Sequence, residues 1–293
     1  MIQNKNAVLM RRATYASLTV AFVLIAIKFV AYLMTGSVAL LSSLIDSVLD
    51  SLASILNFVA VRHALEPADE EHRFGHGKAE PLAGLGQAAF IMGSSLFLIF
   101  EAINRFVNPQ QIEHGSVGVV VMLISLVVTI VLVLYQGHVV KQTGSIAIKA
   151  DSIHYLSDIT LNIGVIIALL ISSYTDWVMA DPIAALLIAI YIIYSAWKIV
   201  KQSLDQLMDR ELSDEDREKI KAIATAHPAV SSLHELRTRA SGKDIFIQTH
   251  LDMDGEISLN EAHKIADEVE EKLQAAFPNA DVIIHQDPIN TDQ

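Results

Sequence analysis

The chain has 293 residues, 52% of them hydrophobic and 18% charged, with a mean hydropathy of +0.42. A soluble domain carries about 25% charged residues, so composition puts much of this chain in a lipid bilayer. A net charge of −12 argues against a nucleic-acid partner, and the absence of cysteine excludes disulfides, thiolate metal ligands and redox centres.

A membrane-spanning helix needs about 20 apolar residues. Six segments qualify, at 13–35, 38–61, 82–106, 116–138, 148–173 and 178–201. No small-residue cleavage site follows a short apolar core near the N-terminus, so the first run is read as a retained span rather than a signal peptide. The breaks carry turn or polar signals: Thr35-Gly36, the loop from Arg62 to Pro81, Asn108-Pro109, Gly137 with Gly144, and Asp181-Pro182. Lys5, Arg11, Arg12, Arg62, Arg73, Lys78, Lys141, Lys149, Lys198, Lys201 and Arg210 fall on one side of this arrangement and Arg105 on the other. The positive-inside rule then makes both termini cytoplasmic. Polarity rises after Ser203, which predicts a membrane domain over 1–208 and a soluble domain over 209–293.

The second and fifth spans are the least hydrophobic, because each carries a charged pair. Asp46 and Asp50 are four residues apart in the second, His154 and Asp158 in the fifth. At i and i+4 both members of a pair share one helix face. Ionisable groups inside spans are costly and mark ion or substrate pathways. One imidazole and three carboxylates suit tetrahedral Zn²⁺, and also accept Fe²⁺, Co²⁺, Cd²⁺ or Mn²⁺. The competing reading is pairing with a basic residue inside the bundle. Lys28 is the only one well inside a span, and its stem is long enough to snorkel outward. Metal binding requires neutral imidazole and ionised carboxylate, so protons compete for the same donors. No Walker-type phosphate loop is present: Gly75-His76-Gly77-Lys78 is followed by Ala79.

In the loop before the third span, the spacing of Asp69, His72 and His76 allows one divalent ion to be clasped locally, although a polar connector needs no such role. Beyond Leu207, Ser213 with Asp214, Glu215 and Asp216 predicts a helix start, and the helix should end near His227 before Pro228. Strands are expected at Ser231–Arg239 and Asp244–Met253 around a Ser241-Gly242 turn. In the second strand Ile245, Ile247, Thr249, Leu251 and Met253 share one face, and Phe246, Gln248, His250 and Asp252 the other. A helix from Leu259 to Phe277 and a short strand from Asp281 to His285 complete an αββαβ domain. His234, His250, His285 and Asp287 with Gln286, and His263 on the second helix, make a binuclear site or a set of ordinary surface histidines. His114, His138 and His227 are read as surface histidines.

The paired motifs in spans two and five, the six spans and the αββαβ tail resemble the cation diffusion facilitators. Phe74-Gly-His-Gly-Lys-Ala-Glu, Leu236-Arg-Thr-Arg and Val282-Ile-Ile-His-Gln-Asp-Pro carry the likeness further. It implies an α-helical membrane protein with six transmembrane helices and a C-terminal α+β, metallochaperone-like domain in the cytoplasm. It also implies a homodimer in the cell inner membrane that exports Zn²⁺ or related ions in exchange for H⁺, with Zn²⁺ as substrate and regulatory ion. No organic cofactor, enzymatic step or nucleic-acid partner is expected. By the same likeness Asp46, Asp50, His154 and Asp158 form the transport site, and Asp69, His72 and His76 the loop site. His234, His250, His263, His285, Gln286 and Asp287 form a cytoplasmic binuclear site bridged by His250, and Lys78 and Asp209 an inter-subunit charge interlock. Asp46, where some relatives carry His, leaves Cd²⁺ and Fe²⁺ open beside Zn²⁺. A metal-gated channel and a membrane-bound metal sensor are the alternative functions.

Overall fold

A computed structural model describes residues 2–36, 38–107, 116–175 and 180–289. The chain divides into two compact units, Met1–Leu204 and Asp205–Gln293. Among the described residues it opens with six helices: α1 (Ile2–Thr35), α2 (Val38–Ala64), α3 (Ala79–Val107), α4 (Ser116–Thr143), α5 (Ile146–Thr175) and α6 (Ala180–Leu207). Of these, α1 to α4 and α6 contain stretches long and apolar enough to cross a membrane. The 30-residue α5, which carries the His154–Asp158 pair, is as long. Most of the helices outrun the apolar segments, α1 at its start and α2, α4 and α6 at their ends. Apolarity marks where the hydrocarbon lies, whereas the backbone ladder continues through polar residues until something stops it.

Gly36 (φ +63°) and Gly144 (φ +68°) stop it in the left-handed conformation that a side chain disfavours. Gly36 N–H donates to Tyr32 O and Gly144 N–H to Val140 O, both at 2.8 Å. Gly137, expected to share the second break, instead lies inside α4. Pro81 sits in the first turn of α3 and Pro182 in that of α6, where a missing N–H costs no intrahelical bond. The expected Asn108-Pro109 turn and His114 fall outside the described residues, as does the start of the sixth expected span.

The bundle has lipid as its solvent, so large apolar side chains such as Phe22, Phe29, Phe97, Leu134 and Trp197 face outward. Its interior uses small and polar residues, among them Ala13, Ser17, Ala21, Ala53, Ser54, Ala88 and Ala196. Small residues let backbones approach closely where the hydrophobic effect no longer drives association. Gly84 shows how closely: a Cβ there would stand 2.7 Å from Ser203 Oγ and 2.8 Å from Ile146 Cγ2. Gly84→Leu is therefore expected to cost about 1–3 kcal/mol through overpacking. The check is the thermal unfolding midpoint of the purified chain, which should fall; an unchanged midpoint would mean that α3 is free to move away.

The second unit is built from α7 (Asp214–Thr225), β1 (Ser232–Ser241), β2 (Asp244–Asp254), α8 (Leu259–Ala276) and β3 (Ala280–Ile289). Ser213 caps α7 by accepting from Asp216 N–H, and Ser258 caps α8 by accepting from Glu261 N–H. The sheet order is β1-β2-β3, with β1 antiparallel and β3 parallel to β2. The hairpin turn is Gly242-Lys243, one residue later than expected, with Gly242 at φ +59°. Strand β2 follows the predicted alternation from Ile247 onward: Ile247, Thr249, Leu251 and Met253 are buried, and Ile247, Leu251 and Met253 pack with Ile265, Val269 and Leu273 of α8, while Phe246 on the opposite face is buried as well. Strand β3 runs on to Ile289 instead of ending at His285, because Leu251, Asp252 and Met253 pair with Gln286, Asp287 and Pro288. Its N–H-less Pro288 is tolerated because β3 is an edge strand.

Candidate metal sites

Helices α2 and α5 bring the two sequence pairs to one place in the bundle. His154 Nε2 lies 3.1 Å from Asp50 Oδ1, with His154 buried and Asp50 partly exposed. Asp50, His154 and Asp158 each offer one ligand atom within 4.8 Å of the others. Asp46, one turn earlier on α2, stands outside that trio but lines the same space. Two cavities meet the carboxylates of Asp46, Asp50 and Asp158. One of about 220 Å³ is lined also by Lys28 and Ser47. The other, about 610 Å³, is lined also by His154 and by Glu101 of α3. Lys28 donates to Ser47 Oγ at 2.6 Å and to Ser43 O at 3.2 Å, so it turns toward the α2 backbone.

The loop between α2 and α3 is tightly wound. Asp69 Oδ1 accepts from the backbone N–H of Glu71 at 2.9 Å and of His72 at 2.6 Å. The His72 N–H above all holds the Asp69 carboxyl below the usual carboxylate range. His72 Nδ1 lies 3.4 Å from Asp69 Oδ1, and His76 Nε2 lies 3.3 Å from Asp69 Oδ2. The predicted trio Asp69, His72 and His76 is thus assembled with its donor atoms within 4.8 Å. Gly75 (φ +76°) makes the reversal between the two histidines.

In the second unit β1, β2 and β3 gather the histidines around Asp287, with His234 on β1, His250 on β2, and His285 and Asp287 on β3. His250 Nδ1 is 2.7 Å and His234 Nε2 3.4 Å from Asp287 Oδ2, and His285 Nε2 is 3.2 Å from Asp287 Oδ1. Hydrogen bonding from His250 holds the Asp287 carboxyl below its ordinary range, with the other two imidazoles adding to the effect. His234, His250 and Asp287 form a three-donor cluster within 4.8 Å. Asp287 therefore touches three histidines in this structure, while the ring of His250 packs at 5.0 and 4.6 Å from those of His234 and His285. His263 is elsewhere engaged: it is exposed on α8 and lies 3.5 Å from Asp267. Gln286 pairs with Leu251 in the sheet. Asp209 lies 3.4 Å from Arg239 of its own chain. His138 is exposed beside Gln142, as expected of a surface histidine. His227 is not one: its side chain is only 11% exposed, set 3.3 Å from Glu268 and accepting from Ala229 N–H.

Residues 14–208 match the cation efflux transmembrane domain, and residues 212–289 match the cytoplasmic domain of cation efflux proteins. The chain belongs to the cation efflux family, the cation diffusion facilitators. The cation-efflux pump FieF of Shewanella oneidensis is 49% identical over 280 residues, covering 96% of this chain and 94% of the relative. The FieF of Klebsiella pneumoniae is 48% identical over 280 residues, covering 96% and 93%. The solved metal-bound C-terminal domain of the CzcD transporter from Thermotoga maritima aligns with 28% of this chain and all of its own at 23% identity, with a TM-score of 0.26.

This cation efflux chain also holds polar groups that sequence reading passed over. Asp151 on α5 is fully buried. Its carboxylate accepts from Ser17 Oγ at 2.7 Å, Gln136 Nε2 at 2.6 Å and Gln87 Nε2 at 3.3 Å. Ser17 in turn meets Ser54, which meets Tyr155. Four helices thereby converge on α5 one turn before His154. The signal was available, since an aspartate inside a span is as costly as Asp50. Glu80, also buried, accepts from Ala147 N–H at 3.5 Å, one of the donors that the first turn of α5 leaves without an intrahelical partner. In the second unit Asp252 Oδ2 lies 3.3 Å from His234 Nδ1; its place on the His250 face of β2 was legible from the alternation.

Proposed function

We propose that the protein is a secondary transporter that exports divalent metal cations, Zn²⁺ first and Cd²⁺ or Fe²⁺ after it, from the cytoplasm in exchange for protons. Asp46, Asp50, His154 and Asp158 are its transport site. The observation that carries this reading is the Asp50–His154–Asp158 cluster inside the helix bundle, met by one cavity on the α1 and α4 side and by another on the α3 and α6 side. Substrate and protons compete there because imidazole and carboxylate must shed protons to ligate metal. His154 is the natural pH-sensitive member. The name of these relatives, cation-efflux pump, supports the direction of transport and a role other than catalysis.

The working unit is a homodimer in the cell inner membrane with both termini cytoplasmic, its subunits linked in part by Lys78 and Asp209. The loop trio and the donors His234, His250, His263, His285, Gln286 and Asp287 are accessory metal sites, the latter sensing cytoplasmic metal. Proteoliposomes containing a pH-sensitive dye test the exchange. Zn²⁺ flux should change internal pH, and an imposed pH gradient should accelerate it. A flat dye signal during Zn²⁺ movement would replace the antiporter with a metal-gated channel, and no flux of any metal in a panel would leave a sensor.

A further inference from the structure

The loop before α3 holds a second set of donors beside the predicted trio. His63, in the last turn of α2, sets Nδ1 2.8 Å from Glu66 Oε2. Glu66 is fixed by its own N–H, which donates to His63 O at 3.0 Å. The His63 ring packs 4.4 Å from that of His76, nearly the spacing of His72 from His76 at 4.6 Å. His63, Glu66 and His76 each offer a ligand atom within 4.8 Å of the others.

His76 belongs to both sets. Its side chain is 5% exposed, its Nε2 faces Asp69, and its Nδ1 is buried with no hydrogen-bond partner. A buried unpaired ring nitrogen is costly and calls for a partner. Two imidazoles and one carboxylate are a donor set that binds Zn²⁺ and neighbouring transition metals. A neutral imidazole carries one lone-pair nitrogen, so His76 serves one ion at a time.

We propose that His63, Glu66 and His76 form a second seat for a divalent transition-metal ion, alternative to the Asp69, His72 and His76 seat and sharing His76 with it. The loop then holds one ion that can occupy either side of a common imidazole. A surface ion pair between His63 and Glu66 would explain those two residues but not the unpartnered Nδ1 of His76. The proposal takes its class of ion from the function proposed above, but it is read by occupancy rather than flux, so either can fail without the other.

The test uses the full-length chain loaded with Zn²⁺ and zinc anomalous scattering from its crystals, with the cytoplasmic zinc as internal control. The parent chain should show loop zinc equivalent to one ion in all, at one seat or divided between the two. Asp69→Ala/His72→Ala should keep one, at His63, Glu66 and His76, while His63→Ala/Glu66→Gln should keep one at Asp69, His72 and His76. Combining all four substitutions should lose it. Loss of loop zinc in Asp69→Ala/His72→Ala, with the cytoplasmic peak retained, would overturn the second seat. Two loop peaks in the parent chain whose occupancies sum to more than one ion would overturn the alternation.

Discussion

Asp50→Asn should reduce Zn²⁺ flux in proteoliposomes to background while the protein elutes at its normal position from a sizing column. The substitution keeps the shape of the side chain and removes its charge, so a loss of flux reports on ligation rather than on packing. Asp50 sits at the centre of the proposed site: its Oδ1 is 3.1 Å from His154 Nε2, and its donor belongs to the one intramembrane trio found among the described residues. Losing even a group that supports a ligand costs about 10–100-fold in metal affinity, and a charged ligand itself should cost at least that. Without Asp50, His154 also loses the partner that orients its ring. Asp50→Ala should behave alike. Zinc transport by Asp50→Asn at the parent rate would remove this residue from the transport site.

The second large effect is expected at Asp151, and on stability before transport. Asp151→Leu replaces an acceptor with an apolar side chain of similar size. The amides of Gln87 and Gln136 then keep their donors inside the bundle without the acceptor they had, and the Ser17 hydroxyl is left with Ser54 alone. A stranded buried polar group costs about 1–3 kcal/mol, so the two amides imply about 2–5 kcal/mol, allowing for partial rearrangement. For a chain of this size that is on the order of 10 °C in unfolding midpoint. Asp151→Asn should be milder. The Gln87 and Gln136 side-chain oxygens have no partner in this structure, and rotating either amide would present an acceptor to the new NH₂. Thermal unfolding of the purified variants decides the matter: equal midpoints for Asp151→Leu and the parent would show that the network carries no weight.

Legibility differed between the two units for physical reasons. In the membrane unit, length and apolarity located the helices, because crossing the hydrocarbon sets a minimum run. They did not locate helix ends, since α1 continues back to Ile2 and α4 passes through Gly137 to Gly144. In the soluble unit, the period-two alternation of β2 holds from Ile247 to Met253 but not at Phe246, which is buried on the opposite face. The end of β3 was missed because His285-Gln286-Asp287 reads as polar, while pairing with Leu251, Asp252 and Met253 keeps it extended.

The candidate sites divide in the same way. Asp50, His154 and Asp158 were legible because any charge in a span is conspicuous and the i, i+4 spacing shows that each pair shares a face. Asp69, His72 and His76 were legible because local spacing alone lets them meet. The second loop set was not, since His63 lies at the end of α2 and reaches His76 only when the loop folds back. The placement of Asp287 among three histidines likewise depends on the parallel register of β3 against β2.

Local chemistry by itself determined the kind of protein: a chain too apolar for water, without thiols, carrying carboxylates and imidazoles where the hydrocarbon makes them expensive. Tertiary structure decided which donors share one space, that Asp46 stands one turn outside the trio, and that His263 points its ring toward Asp267 instead of the Asp287 group. It also exposed Asp151 as the meeting point of helices α1, α3 and α4 with α5. The reason is geometric: spacing along a helix fixes which residues share a face, but only packing fixes which faces meet.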